Sequence, residues 1–312
     1  MYDNIDMKLP AEEAKGVDLL AEIPGRLTRC SGQSIYENGS VSIFGYLDSL
    51  KVRASEQAVT IKDSSLCKWY LGDNFQTMTR GDTKRAIEKL ADLLRLPMDR
   101  ARVTRIDAAH NFIMQHDKAV YFSHLGPLQY FQRYQQNNGL YYTNTNKTLL
   151  FYEKVHEQAD KGQPIPELYQ GRQVIRYEQR YKKRLLQCFN RSDLKASALY
   201  EPAFYCDLVR RWKGDYEQIR KLNDIQIDYS MVKTKRDQAT QALLFYIDQR
   251  GGELSVINEI KEAYKRRELT KKQASDLRKQ VEAACRSKSQ TTCSDVILEL
   301  DKKVKEAARF YL

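Results

Sequence analysis

Apolar positions recur at two different periods along this chain, and the change between them divides it. Up to about residue 200 the dominant period is two, as in strands with one buried face; beyond it the period is 3.6, as in helices. Residues 40–55, 56–63 and 65–72 alternate apolar with polar side chains between short breaks, which predicts an antiparallel meander. At Gly81-Asp82-Thr83 the pattern turns helical. Asp82 or Thr83 is placed to cap a helix that buries Ile87, Leu90, Ala91 and Leu94 and that Pro97 stops. Strands are expected again over 102–112, from Lys147 onward and from Val174 to Arg184, with turns at Gly126-Pro127, Asn137-Asn138-Gly139 and Asn144–Lys147. Helices follow over 201–222, 238–249, 253–267, 270–286 and 294–311, with a link at 228–235 and a break at Gly251-Gly252.

The predicted class is therefore α+β. An antiparallel sheet carries helices on one face and is followed by an all-helical C-terminal region. Residues 1–25, polar and with two prolines, are expected to be a loosely held arm, 26–200 the α+β domain, and 201–312 the helical region.

Composition narrows the partner. The 312 residues hold 52 Lys and Arg against 41 Asp and Glu, a net charge of +11 that suits a polyanion. The helical stretch KEAYKRRELTKKQASDLRKQ offers a cationic surface that could lie along a duplex. No apolar run approaches the roughly 20 residues of a membrane span, and the N-terminus lacks a basic-then-apolar signal pattern, so a cytoplasmic protein without membrane contact is expected. Six cysteines without a Cys-x-x-Cys pair point to neither zinc nor a disulfide framework.

Three predicted strands concentrate the chemistry. Period two puts Arg105, Asp107 and Asn111 on one face, with Leu150, Tyr152 and Lys154 together on the second strand and Arg176, Glu178 and Arg180 on the third. If the strands share a sheet, a phenol, two carboxylates and several cations converge. A phenol titrates near 10 and is a poor nucleophile at neutral pH unless a cation or base favours the phenolate, a bias that Lys154 could supply. Asp107 and Glu178 offer hard oxygens suited to Mg²⁺ or Mn²⁺, while Arg105, Arg176 and Arg180 could contact phosphate oxygens, or Arg105 and Arg176 could instead hold the carboxylates in place. The same Arg-x-Asp and Arg-x-Glu pairs also serve as cross-strand ion pairs on ordinary surface strands. His110 falls on the core side, and His156 shares the parity of Tyr152 as a candidate third ligand. Tyr141 and Tyr142 are further phenols near the site.

The stretches VTRIDAAHNF (103–112), LFYEKVHE (150–157) and IRYEQRYKKR (175–184) resemble, in this order, motifs of the rolling-circle replication initiators of phages and plasmids. The likeness is to the phage replication protein II/X family and, more distantly, to initiators of small staphylococcal plasmids, and it spans about residues 80–190. It implies a site-specific nickase that cuts one strand at the double-strand origin, keeps the 5′ end as a phosphotyrosine ester and later rejoins the displaced single strand. It also implies Tyr152 as nucleophile, Asp107 and Glu178 as metal ligands, Lys154 and Arg176 in support, and a host helicase and polymerase as partners. Departures are Glu153, where Asn or Asp is commoner, and the lack of a His-hydrophobe-His run. A mobilisation relaxase with the same chemistry and a non-catalytic DNA-binding regulator are the alternatives.

Overall fold

In the computed structural model, residues 1–136, 139–225, 230, 232–287, 291–292 and 294–312 are described. Asn137 and Asn138 of the expected turn, Asp228, Tyr229 and Met231 of the expected link, and Cys293 lie outside them. Ten strands form one sheet: β1 Tyr2–Pro10, β2 Arg29–Ile35, β3 Val41–Leu47, β4 Leu50–Ser55, β5 Ala58–Ile61, β6 Arg102–Met114, β7 Gln132–Gln136, β8 Gly139–Thr143, β9 Lys147–Glu153 and β10 Gln173–Tyr181. Their order is β2-β3-β4-β5-β1-β6-β10-β9-β8-β7, and every pairing is antiparallel. The α+β class and the helical C-terminal region thus stand as expected.

Two compact units divide the chain. The first holds Met1–Gln115, Gln129–Gln218 and Lys303–Leu312; the second holds His116–Leu128 and Ile219–Lys302. The expected boundary near residue 200 therefore moves to 218. Burial explains the shift: the helix Pro202–Gln218 sets Trp212 and Tyr216 against the apolar face of the sheet. Tyr177 lies 4.9 Å from Trp212 and 4.5 Å from Phe151, centroid to centroid, so strand and helix share one aromatic core. In the second unit, helices Lys235–Gln249, Glu253–Lys265 and Lys271–Cys285 enclose Leu244, Ile247, Val256, Val281 and Ala284.

Two local expectations fail. The supposed arm is not an arm over its first ten residues: β1 is inserted between β5 and β6, with Ile5, Met7 and Leu9 fully buried. Residues 65–72 form the helix Leu66–Leu71 rather than a strand. Ser65 caps it by accepting from the Lys68 N–H, Leu66, Cys67 and Trp69 bury one side, and Gly72 at φ 89° ends it. The helix Arg80–Leu94 forms with its apolar stripe as predicted, but the cap lies earlier, at Thr79, which exchanges hydrogen bonds with Asp82 in a capping box.

The C-terminal residues also contribute to the first unit. Tyr311 Oη lies 2.8 Å from His110 Nδ1 and 2.5 Å from Thr77 Oγ1. His110 is thus packed on the core side, as its parity predicted. Burial, aided by the positive charges of the chain's amino group and Arg176, pushes its imidazole down to about 3.

Candidate active site

The three motif strands are neighbours, in the order β6-β10-β9. Register aligns Arg176 with both Asn111 and Tyr152, and Arg180 with Asp107, while Glu178 lies between Ala109 and Leu150. All these residues share one face of the sheet, opposite the aromatic core. Asp107 and Glu178 are diagonal neighbours on adjacent strands, a separation that their side chains can bridge.

Tyr152 is half-buried, and its hydroxyl donates to Glu178 Oε2 at 3.3 Å. Burial pushes the phenol well above its ordinary range; Arg176 works the other way, while Glu178, Asp3 and Glu157 add to the rise. The resting phenol is therefore protonated. Glu178 is buried, which works to raise its carboxyl, but Arg180, Arg176 and Arg105 outweigh this and hold it below the usual range. A protonated phenol consequently faces an ionised carboxylate. Asp107 behaves oppositely: burial first, then the Glu178 charge, push it up to about 7 against the pull of Arg105 and Arg180.

The arginines divide by exposure. Arg105 spans both oxygens of Asp107, at 2.9 and 2.6 Å, and Arg180 Nε donates to Glu178 Oε1 at 2.6 Å. Both stay partly open to solvent, and burial together with their charges pushes the neighbouring Lys182 ammonium down. Arg176, by contrast, has no exposed surface. Its Nη1 donates to Asn74 O and Asn111 Oδ1, each at 3.0 Å, and its Nη2 lies 2.9 Å from Asp3 Oδ2. It cannot reach a phosphate in this arrangement, contrary to one role expected of it, and instead ties the sheet to the loop that holds Asn74.

Lys154 is also placed differently. β9 ends at Glu153, and Lys154 opens the helix Lys154–Asp160, where it is buried and donates to Glu157 Oε2 at 2.7 Å. Arg176 rather than Lys154 is the cation that acts most on the Tyr152 phenol, and Arg180 interacts with it as well. His156 lies on the same helix, exposed, 3.8 Å from Asp160, and does not join the two carboxylates. Tyr142 is buried on the opposite face of the sheet, whereas Tyr141 lines a cleft of about 350 Å³ together with Tyr152, Leu150 and Arg180.

The supposed arm hid three site residues. A register shift in β1 between Tyr2 and Asn4 brings Asp3 to Arg176 and sets Asn4 opposite Asp107 and Asp6 opposite Arg105. The signal was there: Ile5, Met7 and Leu9 alternate with Asn4, Asp6 and Lys8. Lys182 lies one residue beyond the end of β10, outside the strand whose parity marks the other residues.

A divalent ion suits part of this set. Among the described residues no three His, Cys, Asp or Glu side chains gather as a metal group. Asp107 and Glu178 nevertheless supply hard carboxylate oxygens, and Asn4 Oδ1, in register beside Asp107, is buried without a hydrogen-bond partner. Two carboxylates and an orphan amide oxygen fit Mg²⁺ or Mn²⁺ better than zinc.

A family model that describes the N-terminal part of a phage replication-associated protein matches residues 1–213, which include all ten strands and every motif residue named above. No curated protein matches the chain.

Proposed function

Given that this chain belongs to the family of phage replication initiators defined by that N-terminal model, we propose that it nicks one strand of its origin DNA through Tyr152 and holds the 5′ end covalently. The observation that carries the reading is the 3.3 Å hydrogen bond from the Tyr152 hydroxyl to Glu178, at the edge of a cleft that opens on the cation-rich face. Tyr152 Oη attacks the scissile phosphorus while its proton passes to Glu178. The bond from phosphorus to the 3′ oxygen breaks, the departing oxygen takes a proton from water, and a 5′-phosphotyrosine and a free 3′-hydroxyl remain. Attack by a later 3′-hydroxyl on that ester reverses the step and rejoins the strand.

Arg180, Arg105 and Lys182, which keep open surface close to the two carboxylates, contact the phosphate oxygens. Arg176 acts from beneath, opposing the effect of burial on the phenol. A divalent ion held by Asp107 and Glu178, with Asn4 Oδ1 as a third oxygen, would neutralise charge on the phosphate.

Purified protein mixed with supercoiled origin DNA and Mg²⁺ or Mn²⁺ is expected to give open circles with protein attached. Tyr152→Phe should abolish the attachment and leave duplex binding close to wild type. An adduct formed by that variant would mean that another tyrosine attacks. A second reading, a DNA-binding regulator without catalysis, is favoured by one observation: each carboxylate is already engaged by an arginine two residues away on its own strand, as in ion pairs that only stabilise a sheet face. Absence of any adduct with either metal would select it.

A further inference from the structure

The cleft beside Tyr152 has features that nicking alone does not require. Register sets Gly139 opposite Tyr152 and Tyr141 opposite Leu150, so Tyr141 stands next to Tyr152 on the same face, across one strand boundary. On its other side Tyr141 is paired with Tyr134 of β7, and the two rings are stacked, 5.0 Å apart and 2° from parallel. One face of the Tyr141 ring is thus occupied. Its other face lies away from Tyr134, and the residue lines the cleft together with Leu150 and Tyr152 of β9. Gly139 permits this pose: a Cβ there would come within 2.9 Å of the Tyr141 ring. Charge around the cleft is mixed: Glu153, Glu157 and Asp160 stand with Lys161, which is paired to Glu157, and Arg180 is the cation on the Tyr152 strand side, so the cleft does not present the run of free cations that a phosphate alone would call for.

We propose that this cleft is a subsite for one unpaired base, in which the nucleotide adjoining the scissile phosphate leaves the DNA stack and lies on the open face of Tyr141. The inference rests on the nicking reading and deepens it: the substrate at the moment of cleavage is single-stranded at that position. The Tyr134 ring backs the platform, holding Tyr141 upright so that its face is ordered before DNA arrives. The cleft volume, about 350 Å³, is of the size that a single base with its sugar can enter. Stacking needs the ring and not the hydroxyl, which separates this role from that of a second nucleophile.

The test uses the full chain carrying Tyr152→Phe, so that binding is read without turnover. Its ligand is a single-stranded oligonucleotide spanning the nick position, as mapped from the covalent adduct of the wild type. With 2-aminopurine next to the nick, the Tyr152→Phe parent and its Tyr141→Phe derivative should both quench the fluorescence. Tyr141→Leu in the same parent, which keeps apolar bulk on the strand, should lose the quenching and bind about tenfold more weakly. An abasic site at the same position should cost the parent a similar factor and cost Tyr141→Leu nothing further. Equal quenching and affinity in the Tyr141→Phe and Tyr141→Leu derivatives, or an abasic site without penalty in the parent, would overturn the proposal. The two failures are distinguishable: once the wild-type adduct has fixed the nick position, a failed stacking test overturns this proposal and leaves the nicking reading standing, whereas absence of any adduct overturns both.

Discussion

Arg176 and Arg180 occupy equivalent places in the strand pattern, two positions either side of Glu178, yet their surroundings give them different work. Arg176 has no exposed surface and holds Asp3, Asn74 and Asn111; Arg180 faces the cleft. Removing one partner of a buried ion pair leaves the other charge unpaired, so Arg176→Gln is expected to destabilise the fold by about 3–5 kcal/mol. Arg180→Gln leaves Glu178 with Arg176 3.7 Å away, so it should cost clearly less stability than Arg176→Gln while weakening DNA binding, a contrast that urea titration and a binding isotherm together would reveal. His110 supplies a second prediction. Its imidazole is held neutral far below the ordinary value near 6.5, so between pH 6.5 and 3 the unfolded chain binds the proton that the folded chain refuses. The stability it contributes is present above pH 6.5 and is lost as pH falls. Going from pH 7 to pH 5 should cost the wild type about 2 kcal/mol that a His110→Gln variant retains, as measured by urea unfolding at both pH values. Equal losses in the two proteins would show that other groups govern the acid limb.

At the level of elements, β1 has the largest consequence. A strand lying between β5 and β6 completes both of their ladders, so deleting residues 1–10 exposes two edges in the middle of a sheet. The truncated chain is expected to lose cooperative unfolding and become sensitive to protease, which circular dichroism and limited proteolysis can check. Much of the remaining architecture was legible because long elements repeat their period many times: β6 and β10 each alternate over nine or more residues, and the helices after residue 200 follow 3.6. Residues 65–72 were not legible, because Leu66, Cys67, Trp69 and Tyr70 satisfy either period over so short a stretch. That Asp107, Glu178 and Tyr152 lie on the polar face was readable from the parity of each strand alone. Lys154 was misplaced because parity holds only while the strand continues, and nothing local to Glu153 announces where β9 ends. Arg176 could not be recognised as buried, since its partners Asp3 and Asn74 are distant in sequence.

For the molecule as a whole, the excess of 52 basic over 41 acidic residues predicts binding to DNA that weakens steeply with salt. In the helical unit, Lys261, Lys271 and Arg278 surround an apolar hollow lined by Ile257 and Ile260. Reversing Lys271 and Arg278 to Glu together should lower affinity for duplexes of any sequence and flatten the dependence of log K on log salt by about two units, read by anisotropy over a salt series. An unchanged slope would place the duplex elsewhere. The contribution of Lys303–Leu312 to the sheet-bearing unit has a different outcome. A ribosome delivers these residues only after the entire intervening helical unit has emerged, so Tyr311 reaches His110 and Thr77 late in translation. Until then the nascent chain lacks one piece of the scaffold beneath its motif strands, and growth of the polypeptide itself sets a delay before those strands are fully supported.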